Sequence, residues 1–155
     1  MTFVESIGRT PDLNTCVPGV GLRALSAHSR VVTDYDPRRL EGSLDLDRCL
    51  RERYPNDNRW DYVFGYRGHA WYLEVHEANG GHSVVIGKAA WLRKWLAANR
   101  RGISGMPTVG KRLYWAPTGR VRTNDKSDRQ LAQSGIVRTR QMRLDFILNQ
   151  SGSGR

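Results

Sequence analysis

At 155 residues, 39% hydrophobic and 26% charged, the chain has the size and balance of one globular domain with a real core. No apolar run approaches the roughly 20 residues that span a bilayer, and Met1-Thr2-Phe3-Val4-Glu5 lacks the basic-then-apolar order of a signal peptide, so a cytoplasmic protein without a membrane partner is expected. The formal charge of +10 is unevenly placed: residues 1–79 carry 10 basic and 12 acidic side chains, residues 80–155 carry 15 and 3.

Such asymmetry points to a polyanion partner, most often nucleic acid. Arg outnumbers Lys 21 to 4, and guanidinium forks suit phosphate oxygens. A GC-rich genome, which favours Arg codons, explains the same ratio without a partner. Two cysteines, Cys16 and Cys49, make no framework and are expected as reduced thiols.

Residues 1 to about 17 show no clear period and read as irregular or loosely docked. Pro18 opens a short expected helix to about Ser29. Val31-Val32-Thr33 reads as a short strand, and Asp36-Pro37 breaks the chain. Ser43 has the character of an N-cap, with Asp45 and Asp47 in the first turn of the helix it would start. Leu46, Cys49, Leu50 and Tyr54 give that helix an apolar stripe.

Residues 60–66 and 70–76 are rich in aromatic and β-branched residues and read as two strands. Arg67-Gly68-His69 between them predicts a hairpin. Ser83 reads as a second N-cap. Val85, Ala89, Leu92 and Leu96 predict a helix over roughly 84–100. A glycine-rich loop follows, then a strand over 111–116, a helix over 125–134 stopped by Gly135, and a final strand ending in Met142–Leu148. The polar 149–155 is expected to fray as a flexible tail. The order is helix, strand, strand, helix, strand, helix, strand. It predicts an α/β fold with a single mixed β-sheet flanked by helices, preceded by an extension over 1–42 and occupying 43–148.

The chemistry concentrates on the hairpin. Asp61 opens one strand, and thirteen residues later Glu74-Val75-His76 lies on the next. Alternation puts Glu74 and His76 on one face. Two carboxylates on paired strands are a minimal grip for Mg²⁺ or Mn²⁺, which keep waters for a phosphate substrate. A third polar group on that face can orient water or meet charge developing on phosphate. Each residue also has a plainer role. Asp61 can cap a turn, Glu74 can pair with an Arg, and His76 can be a hydrogen-bonded interior histidine.

This arrangement resembles the PD-(D/E)XK nuclease superfamily, whose restriction-endonuclease-like fold places an Asp on one strand and Glu-x-Lys on the next. The resemblance covers roughly Ser43 to Leu148, with Asp61 at the Asp position and Glu74-Val75-His76 where Glu-x-Lys is the pattern. His76 in place of Lys is the departure that matters, since an unperturbed His is largely neutral at pH 7. The resemblance implies a Mg²⁺- or Mn²⁺-dependent nuclease, DNA favoured, with Asp61 and Glu74 as metal ligands. It also implies an added acid from the preceding helix, for which Glu41, Asp45 and Asp47 are candidates. A Lys from the following helix can join such a site, and Lys88 lies in that stretch, although a solvated helix face accounts for it too. Small resolvase-like members act as dimers, so a homodimer is implied. The basic second half, with Arg93, Lys94, Arg120 and Arg122, would hold the phosphate backbone.

Other classes find less support. His69, His76 and His82 have no compact zinc spacing. No glycine-rich phosphate loop and no Gly-x-Ser-x-Gly elbow is present. Trp60, Trp71, Tyr72, Trp91, Trp95, Tyr114 and Trp115 fall at core-compatible positions, although exposed ones would stack on unpaired bases. The competitors are a non-catalytic nucleic-acid-binding module on the same fold and a basic accessory protein docking on an acidic protein.

Overall fold

The protein is described by a computed structural model over residues 1–77, 81–120 and 124–153, without the side chains of 152 and 153. The chain starts in α1 (Phe3–Arg9), where Thr2 Oγ1 accepts from Glu5 N–H and the Glu5 carboxylate accepts from Thr2 N–H. This reciprocal capping box stabilises a helix where an irregular segment was expected. Phe3, Ile7 and Leu13 are fully buried in the main core, so the N-terminal region docks firmly on the rest. The expected helix after Pro18 is a 3₁₀ segment (Arg23–Val31) with a break at Ser26.

Then come β1 (Val32–Thr33), β2 (Leu40–Asp45), α2 (Leu46–Leu50), β3 (Tyr62–Tyr66), β4 (His69–Glu77) and α3 (Gly81–Ala98). The remainder is β5 (Leu113–Thr118), α4 (Asp125–Gln133), β6 (Ile136–Arg138), β7 (Met142–Arg143) and α5 (Leu144–Ser153). Five strands form a mixed sheet in the order β2-β3-β4-β5-β6, and β1 pairs in parallel with β7 as a separate two-stranded sheet where a single sheet was expected. The β2–β3 and β3–β4 pairs are antiparallel, and β4–β5 and β5–β6 are parallel. Parallel neighbours need a crossover, which α3 supplies for β4–β5 and α4 for β5–β6. The β3–β4 hairpin turns on Arg67 and Gly68, both at positive φ (47° and 77°), the pair of conformations a tight two-residue hairpin loop requires.

Strand alternation divides the core in two. Val63, Tyr72 and Trp115 face α3 with Val85, Ala89 and Leu92. Phe64, Trp71, Leu73 and Tyr114 face the other way, against Leu25, Val32, Met142 and Leu144. Most of the aromatic residues are therefore core. Trp91 is partly buried, stacks on Trp95 and donates to Asp57.

Four expectations are corrected. Ser43 lies inside β2, and Asp45 is the cap of the short α2, its Oδ1 accepting from Arg48 N–H at 2.9 Å. Ser83 is inside α3, which starts at Gly81. The expected final strand is only Met142–Arg143, after which the chain turns helical and stays so to Ser153, five residues into the segment expected to fray, whose last two residues lie outside the described ones. Cys16 and Cys49 are joined by a disulfide with Cα atoms 6.1 Å apart, not held as reduced thiols. Among the described residues no helix is long and apolar enough to cross a membrane.

Candidate acidic centre

Asp61 sits one residue before β3, and Glu74 lies near the C-terminal end of β4. The register that pairs Tyr62 with Leu73 carries on to set Asp61 opposite Glu74. Two reciprocal bonds fix the pair. Asp61 N–H donates to Glu74 Oε1 at 3.0 Å, and Val75 N–H donates to Asp61 Oδ2 at 3.0 Å. Each carboxylate thus has one oxygen locked by backbone and one left to turn elsewhere.

Both remaining oxygens turn to Lys88. Its Nζ donates to Asp61 Oδ1 at 3.3 Å and closely to Glu74 Oε2. Lys88 lies on α3 one turn after Val85 and next to Ala89, which anchor that helix in the core, so its stem runs along the sheet. Its side chain is only 12% exposed, which excludes a solvated helix face. The oxygens of Asp61 and Glu74 therefore converge on one point.

The electrostatics follow from burial. Like charges opposite one another across a strand pair repel, and Glu74 is fully buried. Burial, and then the Asp61 charge, push the Glu74 carboxyl up to about 8, against the pull of Lys88. Burial works against the Lys88 ammonium, but Glu74 and Asp61 raise its pKa above the ordinary lysine value. At neutral pH the cluster thus holds the Lys88 ammonium and a Glu74 carboxyl that burial keeps largely protonated. Asp45 lies beside the pair, and its carboxyl is raised by burial and by the charges of Asp47 and Asp61. Tyr62 is pushed up to about 12 by burial and by the same acids.

The other candidates separate clearly. His76 shares the face of Glu74, with Nδ1 4.0 Å from Glu74 Oε2 and the side chain one-third exposed, at the solvent margin of the cluster. The ammonium that the resemblance places at residue 76 comes instead from α3. Glu41 is engaged by Phe3 N–H and Gly68 N–H, and Asp47 by Arg51 and Arg59. Asp45 caps α2, and its carboxyl feels the Asp61 charge. Arg93 donates to the Ser134 carbonyl at the end of α4, a structural tie, while Lys94 and Arg120 are exposed. Arg122 lies outside the described residues.

Among the described residues no three His, Cys, Asp or Glu side chains are grouped to hold a metal ion. A divalent ion here would rest on the two converging carboxylate oxygens and on water, the sparse protein ligation usual for Mg²⁺. In that sense the donor set fits. Comparison with protein-family models, curated proteins and solved structures found no match to the chain.

Proposed function

We propose that this chain is a metal-dependent nuclease-like domain that hydrolyses phosphodiester bonds of nucleic acid, with DNA favoured. The observation that carries the reading is the convergence of Asp61 Oδ1 and Glu74 Oε2 on the Lys88 ammonium at one end of a hairpin. The element order supports it too. Three antiparallel strands, a helix and a parallel strand (β2, β3, β4, α3, β5) resemble the restriction-endonuclease-like core.

In this reading Asp61 and Glu74 hold Mg²⁺ or Mn²⁺. When bound, the ion polarises the phosphodiester and lowers the pKa of an attacking water. Glu74 must first give up the proton that burial favours. The backbone donors at Asp61 and Val75 keep both carboxylates aimed, so little reorganisation accompanies binding. Lys88, still charged, swings from the carboxylates to the phosphate and stabilises charge developing on its oxygens. His76, at the margin, positions water or substrate. The basic residues 80–155 hold the phosphate backbone, so binding weakens steeply with salt.

The experiment is cleavage of plasmid and branched DNA with Mg²⁺ or Mn²⁺, wild type against Glu74→Ala. Equal rates in both proteins remove the assignment. The second reading is a binding module without catalysis. It draws on the ion triad being complete within the protein, since Lys88 already engages the free oxygen of each carboxylate. Salt-sensitive DNA binding with no cleavage under either metal selects it.

A further inference from the structure

On the opposite face of the sheet from Glu74, a cleft of about 500 Å³ opens between the β5–β6 edge and α5. Arg112 and Arg143 line it, and among the described residues no carboxylate does. The Arg143 guanidinium lies 4.4 Å over the centre of the Phe146 ring, forming a stacked platform at one wall. Phe146 is 42% exposed, one of the few large apolar side chains left open to solvent. Thr139 and Gln141 add polar groups. Tyr114 also lines the cleft; it is 3% exposed, and its hydroxyl is buried with no hydrogen-bond partner among the described residues. A buried hydroxyl without its hydrogen bond has given up water and gained nothing in return, so a ligand group that completes the bond is favoured.

We propose that this cleft binds a nucleoside phosphate, either a free nucleotide or an unpaired nucleotide of a strand. Two guanidiniums without a carboxylate select an anion, and Arg is suited to phosphate oxygens. The Arg143–Phe146 platform selects a planar ring, because bases stack on aromatic and guanidinium planes. The volume accommodates ring, sugar and phosphate together. The Tyr114 hydroxyl, at the floor, bonds a polar edge of the ligand. Nothing in this assignment depends on the chemistry of the acidic centre.

The test is calorimetric titration of the full chain with adenosine monophosphate, guanosine monophosphate, inorganic phosphate and a 5′-phosphorylated single-stranded hexanucleotide. Tyr114→Phe and Arg143→Ala are run beside the wild type, with Arg112→Ala held ready should Arg143→Ala fail to fold. Saturable binding of a mononucleotide or of the hexanucleotide, stronger than that of phosphate, is expected. It weakens at least threefold in Tyr114→Phe, whose folding stability is equal to or above wild type. It weakens at least fivefold in the arginine variant. Binding of the hexanucleotide alone identifies the source as a strand, and binding of mononucleotides identifies the free ligand. No saturable binding of any nucleotide, affinity no better than for phosphate, or affinity unchanged in both variants overturns the proposal.

Discussion

Replacing Glu74 by Gln keeps the side-chain shape and the oxygen that accepts from Asp61 N–H but removes the charge. The wild-type carboxyl titrates near 4.5 when exposed and at about 8 in the folded protein. A raised pKa makes the protonated form the one that favours folding. That contribution is whole below pH 4.5, where both states carry the proton. As pH rises from 4.5 to 8 the unfolded chain releases its proton and the folded protein keeps it. Wild-type stability therefore falls by up to about 1.4 kcal/mol per pH unit. Across the window this amounts to about 3–5 kcal/mol, the lower figure allowing for a shift one unit smaller. The Gln variant has no such slope. Urea denaturation of both proteins at intervals from pH 5 to 9 measures the difference. The stability of Glu74→Gln relative to wild type should climb steadily to pH 8 and then level. Parallel pH profiles for the two proteins would refute the argument that burial holds the proton on Glu74.

Divalent-ion affinity should rise with pH towards 8 and then flatten, with proton release on binding, because Glu74 must ionise to act as a ligand; calorimetry in buffers of different ionisation enthalpy reads the released proton. The Cys16–Cys49 disulfide closes a loop of 33 residues, so Cys16→Ser with Cys49→Ser should cost about 3–4 kcal/mol, read as a lower urea midpoint than the oxidised wild type. A Cβ on Gly65 would meet Phe3 Cβ at 2.5 Å, so Gly65→Ala should force α1 off the sheet and destabilise by about 1–3 kcal/mol, measured by thermal unfolding.

Much of the architecture was legible because the chain signals it locally. The aromatic alternation of residues 60–76 marks the hairpin, and the stripe from Val85 to Leu96 marks α3. Asp61 and Glu74 were therefore placed on the two arms of the hairpin from sequence alone, although β3 itself starts one residue after Asp61. Other segments carried two patterns at once. Met142, Leu144, Phe146 and Leu148 alternate like a strand, yet Leu144, Ile147 and Leu148 also make a helical stripe, and packing of Leu144 in the core on the face away from α3 decides for the helix. Ser43 with Asp45 and Asp47 imitates a helix start two residues early, because a strand that ends in its own cap, Asp45, looks the same. The Thr2–Glu5 capping box was readable at the N-terminus but lay in a stretch without apolar period. The disulfide left no trace, since two cysteines 33 residues apart give no spacing rule. The role of Lys88 was open for a related reason. Which turn of α3 faces the carboxylates depends on how the helix crosses the sheet, a tertiary quantity.

That residue also supplies the most direct test. Lys88→Met keeps the stem and removes the ammonium. Its metal-dependent cleavage of plasmid and branched DNA should be compared with wild type at pH 8, after circular dichroism has shown that both are folded. Wild type should cleave only with Mg²⁺ or Mn²⁺, and the variant should be slower by about 100-fold or more, the scale for losing one oriented charge donor. Equal rates in the two folded proteins, or no cleavage by wild type with either metal, would contradict this expectation.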